Sequence, residues 1–354
     1  MRMEENKPLA SYTTFGIGGP ARWFAEAASE DEIVEATAWA REQGVALFVL
    51  GGGSNLLVAD AGFDGLVLRV GLHGISIGSA EPGGEASGQR IYRAAAGEDW
   101  DSFVQRTVED NCAGVECLAG IPGTVGGTPV QNVGAYGQEV ASTIERVRAF
   151  DLAGRSFVEF SAAECGFAYR SSRFNSTDRG RYIVTRVDYR LTLGGAPTLR
   201  YADLLQAMQD AAPEGKQPSL VDVARVVRRV RLGKGMLLVD GDQDCRGAGS
   251  FFKNPVVSDE RAGEIAASCS EMPPWFPAGV GHVKIPAAWL IEQAGFAKGY
   301  ALGAAGISSR HTLALINRGG ASAQDVLALA GQINAAVEAR FGIHLEMEPV
   351  LVGF

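Results

Sequence analysis

Residues Ala119–Gly137 read AGIPGTVGGTPVQNVGAYG, with six glycines, two prolines and no charged side chain. Glycine and proline both oppose a helix. Proline cannot donate to a sheet ladder, and glycine packs nothing within one. The stretch therefore reads as a loop that brings bare backbone close to something flat or anionic. Glycine reaches φ > 0 and lacks the Cβ that blocks approach, and the N–H groups left over become donors. A second run, Gly51-Gly52-Gly53-Ser54-Asn55, directly follows the apolar run Val45–Leu50. Either loop alone is equally an ordinary turn; together they have the pattern of a cofactor cradle.

Working outward, 354 residues exceed one comfortable core, since cores stop growing near ~250–300 residues. Two or three domains are expected. A hydrophobic fraction of 46% is too high for a disordered chain. A net charge of −9 argues against nucleic-acid partners but allows a local basic pocket for an acidic small molecule. The five cysteines include no C-x-x-C, and the four histidines are scattered, so no metal site is expected. Free thiols fit a reducing cytoplasm. Without an apolar signal core or an apolar run of ~20 residues, a soluble, cytoplasmic protein is expected, with no membrane contact.

Ser29 and Glu32 read as a capping box, followed by a helical face of Ile33, Ala36, Trp39 and Ala40 that Gly44 ends. Strands are expected at Val45–Leu50, Leu66–Val70, Ile91–Ala96, Ile144–Phe150, Ser156–Phe160 and Tyr182–Leu193. In the last, Ile183, Thr185, Val187 and Tyr189 alternate with Arg186, Asp188 and Arg190. Residues 78–89 read as an exposed loop. Trp100, Phe103, Val104, Thr107 and Val108 share one helical face. Gly194–Pro197 reads as a domain boundary. Beyond it, Ser219 caps a helix with Val223, Val226, Val227 and Val230 inward. Its other face carries Arg225, Arg228, Arg229 and Arg231, read as solvated, with Lys234 just after. Pro286 stands at a first helical position before Ala287–Ala294. The last helix starts at Ser322 and ends at Gly342, and a short strand, Ile343–Val352, closes the chain. The expected organisation is 1–73 and 74–195 as two halves of one domain and 196–342 as a second, with 343–354 returning to the first.

Three further segments can carry chemistry. In Gly247–Pro255 a serine, Ser250, lies behind two glycines and before two phenylalanines. It reads either as a turn entering a strand or as a hydroxyl held against an apolar wall for proton transfer. Ser250 lacks a G-x-S-x-G context and a nearby histidine, which disfavours a serine hydrolase. Tyr169-Arg170-Ser171-Ser172 offers an arginine for a two-pronged carboxylate grip, or a surface ion pair. Glu346 and Glu348 fall on one face if their segment is a strand.

The segments GGGSN (51–55), IPGTVGG and QNVGAYG (121–137), YRSS (169–172), AGSFFKNP (248–255), AAWLIEQAG (287–295) and LEMEP (345–349) stand in the order found in the UDP-N-acetylenolpyruvoylglucosamine reductase family, which the chain resembles from about Phe15 to Val352. The resemblance implies an α+β fold: a two-part FAD-binding domain of the vanillyl-alcohol-oxidase type, then a C-terminal α/β substrate-binding domain. It implies an NADPH-dependent reduction of an enolpyruvyl UDP-sugar in peptidoglycan synthesis, with hydride added at C3 and a proton at C2. Implied FAD contacts are Gly51, Gly52, Gly53, Ser54, Asn55, Ile121, Pro122, Gly123, Gly126, Gly127, Asn132, Gly134, Ala135, Tyr136 and Arg170. Implied catalytic residues are Arg170 for the carboxylate, Ser250 for the C2 proton and Glu348, with Glu346 the alternative. Tyr201, Lys234, Asn254 and Gln293 match positions that bind UDP-sugar or nicotinamide nucleotide. Residues 235–247 are longer and more acidic than the family pattern. No histidine precedes His73 and none follows until His282, so FAD is expected to be noncovalent. The rival reading is another noncovalent FAD oxidoreductase. A monomer is expected.

Overall fold

The computed structural model describes residues 1–79, 88–209, 217–269 and 272–354. Cα packing divides the chain into two compact units. The first comprises Met1–Lys7, Ala21–Gly52 and Asp64–Leu232; the second comprises Pro8–Pro20, Gly53–Phe63 and Gly233–Phe354.

Among its described residues the first unit holds two large sheets and the small antiparallel pair Gly134–Ala135 and Gln138–Glu139. One large sheet orders its strands Met3–Pro8, Pro20–Ala27, Phe63–Val70, Ala46–Leu50. Its last two run parallel, with Ala46 opposite Gly65 and Leu50 opposite Arg69. Helix α1 (Glu30–Glu42) makes the crossover between Pro20–Ala27 and Ala46–Leu50. Ser29 accepts from the Glu32 N–H, Glu32 accepts from the Ala28 N–H, and Gly44 ends the helix at φ +64°. Ile33, Ala36 and Ala40 are buried as their spacing predicts. The other sheet is antiparallel, ordered Ser156–Ser161, Ile144–Asp151, Tyr182–Leu193, Gln89–Ala95, Ile75–Ser79. Helix α2 (Trp100–Glu109) buries all five of its expected residues. Trp100 and Phe103 pack against Tyr189 of the central strand.

Several expectations change here. Gly78 and Gln89 belong to strands, and residues 80–87 of the expected loop lie outside the described residues. Asp188 is buried rather than facing water, held by Arg186. Helices α3 (Ala202–Gln209) and α4 (Leu220–Gly233), which follow the expected boundary at Gly194–Pro197, bury Leu204, Met208, Val223, Val226 and Val227 in the first core. Burial of their apolar faces decides their unit, and the Gly-Pro turn does not. Pieces of the expected first half, 8–20 and 53–63, instead give Phe15, Ile17 and Leu57 to the second core.

The second unit contains α5 (Asp259–Ala267), α6 (Ala287–Gln293), α7 (Ala323–Phe341) and small sheets. Pro286 is the N-cap of α6, one position earlier than expected. Helix α7 opens with a Ser322–Asp325 capping box and closes at left-handed Gly342. The expected strand Ile343–Val352 is broken. Only Val350–Val352 forms one, parallel to Leu56–Val58, while Met347 makes an isolated bridge to Phe252. Among the described residues no helix is long and apolar enough to cross a membrane.

Candidate active site

In the first unit the glycine-rich loop is pinned from beneath. Gly126 N–H donates to Ala96 at 2.8 Å and Val125 N–H to Glu98 at 2.9 Å. Thr128 shares a 2.6 Å hydrogen bond with the Tyr189 hydroxyl. The Trp100 N–H reaches the Gly123 carbonyl at 3.1 Å. These bonds hold Ile121–Gly127 across the start of α2. A Cβ on Gly52 would lie 2.6 Å from the Gly123 Cα, so the two glycine loops touch through backbone alone. Among the described residues, no partner takes the N–H of Gly52, Ile121 or Gly123. Uncharged backbone with open N–H groups fits a flat, anionic group such as FAD.

Arg170 is half-buried and donates to the Gly134 carbonyl at 2.8 Å, which joins YRSS to QNVGAYG. Ser172 tightens the same junction through Val130 at 2.6 Å. Asn132 is buried and donates to Glu139 and the Ala168 carbonyl while accepting from Ala141 N–H. Its side chain thus braces the loop. Asn132, Tyr136 and Arg170 all hold positive φ (45°, 51°, 52°). Such backbone strain persists where surroundings fix it, often at functional positions. Tyr136 stands edge-on to Tyr201, with centroids 5.7 Å apart.

In the second unit, Gly53 sits at φ +66°, where a Cβ would fall 1.8 Å from the Tyr12 carbonyl oxygen; only glycine fits. Ser250 follows Gly249 at φ +69° and precedes Phe251 and Phe252, which are fully buried and packed edge-on. The Phe251 carbonyl accepts the Glu348 N–H at 2.9 Å, and the Lys253 N–H donates to the Glu346 carbonyl at 2.9 Å. Asn55 donates to the Glu348 carbonyl at 3.2 Å. The ends of GGGSN, AGSFFKNP and LEMEP are thereby laced together.

The two glutamates do not share one environment. Glu346 is 71% exposed and paired with Lys253 at 2.6 Å, whereas Glu348 is half-buried. The Asn254 side-chain Oδ1 accepts the Ala287 N–H at 2.9 Å and so caps α6. Gln293 is held by Arg340 of α7. Lys234 is half-buried, and Gly235 beside it lies against Ser308.

Three groups near these residues escape the sequence reading. Burial first, then the charges of Lys234 and Lys298, push His311 down to about 4. The charges of two lysines distant in sequence thus bear on one imidazole, which sequence alone hides. Glu116, fully buried, accepts from Gly114 N–H, Thr198 N–H and Gln138. A lone acid just before the glycine-rich loop was its only signal. Arg231, read as solvated, is buried. Arg228 of the same face pairs with Asp101, while Arg225 and Arg229 are exposed. The string Gly74–Gly78 has G-x-S-x-G spacing but runs along a strand at the edge of its sheet, not an elbow. Among the described residues no cluster could hold a metal ion.

Residues 21–158 match the model of an FAD binding domain; all of them but 53–63 lie in the first unit. Residues 242–352 match the model described as UDP-N-acetylenolpyruvoylglucosamine reductase, C-terminal domain. The chain is 46% identical to the enzyme of that name from Thermobifida fusca over 98% of this chain and 97% of that one. It is 37% identical to the one from Ralstonia nicotianae over 99% of each. The crystal structure of the Thermus caldophilus reductase superposes with a TM-score of 0.65 at 27% identity, covering 99% of both chains. The chain belongs to the UDP-N-acetylenolpyruvoylglucosamine reductase family.

Proposed function

We propose that this protein is the NADPH-dependent flavoenzyme that reduces the enolpyruvyl group of UDP-N-acetylenolpyruvoylglucosamine to the lactyl ether of UDP-N-acetylmuramate, for peptidoglycan synthesis. When bound, FAD, recharged by NADPH, supplies the hydride that C3 receives. Negative charge then develops on C2 and its carboxylate. Arg170, oriented through Gly134, neutralises that carboxylate with a flat donor pair. Ser250, backed by Phe251 and Phe252, delivers the proton to C2. Glu348 takes the glutamate's role in preference to Glu346. A protonated carboxyl serves there, since a second anion would repel the enolate. Lys234, with Lys298 and neutral His311, receives the diphosphate; Tyr201 receives a nucleotide ring. Asn254 and Gln293 keep their places in the substrate-binding set, though the bonds they make brace α6.

The observation that carries this reading is the lacing of Phe251 and Lys253 to Glu348 and Glu346. It supports Ser250 and Glu348 as neighbours and gives Glu346 a cation of its own. The test is an anaerobic absorbance experiment on the purified yellow protein. NADPH should bleach the flavin, and the enolpyruvyl UDP-sugar should restore its colour. A protein that takes up no flavin, or whose bleached form ignores this substrate, refutes the assignment.

A further inference from the structure

Arg231 is 8% exposed, on a helix whose Arg225 is 70% exposed. A guanidinium is tolerated in such surroundings only where its donors are met. The Arg231 Nε donates to the Gly120 carbonyl at 3.0 Å. The Tyr136 side chain hydrogen-bonds the same group and offsets part of the burial that lowers its pKa. Gly120 and Tyr136 are the two ends of the glycine-rich loop. Both are left-handed, at φ +72° and +51°, and a tyrosine holds that conformation only when its neighbours fix it. Gly120 is also gripped from its other side: its N–H donates to Asp101 at 2.6 Å, and Arg228, one turn before Arg231 on α4, holds the second oxygen of Asp101.

We propose that Arg231 is a positioning residue: from α4 it fastens both ends of the glycine-rich loop at one point and so sets the affinity of the loop for FAD. The proposal rests on the reading of that loop as the flavin cradle. A loop of this composition has much freedom to lose on binding. Closing it in advance removes that cost from the binding step.

The test uses the full-length protein, stripped of flavin and then titrated with FAD. Arg231→Lys keeps the charge but cannot hold two partners with one planar fork. Amide exchange over residues 120–137 in the flavin-free protein should quicken, and the FAD dissociation constant should rise, each by about tenfold or more. Tyr136→Phe cuts one of the two fastenings and should move both readings the same way by less. It carries the test if Arg231→Lys does not fold. Arg225→Lys, on the exposed face, should change neither. Wild-type exchange in both Arg231→Lys and Tyr136→Phe overturns the fastening. Faster exchange with unchanged FAD affinity overturns its link to flavin. Gly52→Ala separates this from the cradle reading: if it loses FAD while Arg231→Lys binds normally, the cradle stands and the proposal falls. If Gly52→Ala binds FAD normally, the cradle reading fails and takes the proposal with it.

Discussion

Arg170 sits at positive φ with one arm on the Gly134 carbonyl, so the glycine-rich loop also aims this guanidinium. Arg170→Lys keeps the charge and loses the planar pair of donors. We expect kcat/KM for the enolpyruvyl substrate to fall about a hundredfold or more, with FAD still bound. Steady-state kinetics of the reconstituted variant checks this, and near-normal turnover refutes the role. His311 behaves differently, because its pKa of about 4 lies below the 6.5 of an ordinary imidazole. As pH falls from 6.5, the unfolded chain binds the proton first. The contribution of His311 to stability is therefore full above about 6.5 and drains away towards about 4, by up to about 3 kcal/mol. Urea unfolding between pH 7 and 4 should show a flatter profile for His311→Gln than for wild type; parallel profiles contradict the burial of a neutral ring beside two lysines.

Helices and strands with one wet face were legible from spacing alone. The Tyr182–Leu193 strand begins and ends where its alternation does, and α7 begins and ends at Ser322 and Gly342. Segments whose shape depends on distant partners were not legible. Residues 343–349 have strand composition, yet their neighbour is the AGSFFKNP segment, which offers one bridge and then turns away. Arg231 shares the helical period of three exposed or partly exposed arginines, and nothing local marks it as the one that meets Gly120. Asn254 is expected from the motif resemblance to bind substrate, but its bond to α6 was not legible, because Ala287 lies 33 positions away. Asn254→Ala should therefore cost about 1 kcal/mol of stability through the lost cap, apart from any effect on substrate. Equilibrium urea unfolding without ligand measures it. An unchanged midpoint would leave Asn254 with a binding role alone.

At the scale of the molecule, composition and length called for more than one core, and two cores are found. Their borders were hidden because each takes chain from both sides of the Gly-Pro turns. The second core needs Phe15, Ile17 and Leu57, and the Val350–Val352 strand needs Leu56–Val58. A fragment of residues 233–354 should thus fail to unfold cooperatively on heating, although it spans the whole C-terminal family match; a sharp calorimetric transition from it would contradict this. The proposed catalytic assignment comes from the order of short motifs, and the lacing of Ser250's segment to Glu348's supports it. Ser250→Ala, loaded with FAD under anaerobic conditions, should be bleached by NADPH at the wild-type rate. It should then regain its yellow absorbance with UDP-N-acetylenolpyruvoylglucosamine more slowly by a factor of about 10²–10⁴. Recovery at the wild-type rate would contradict proton delivery by Ser250.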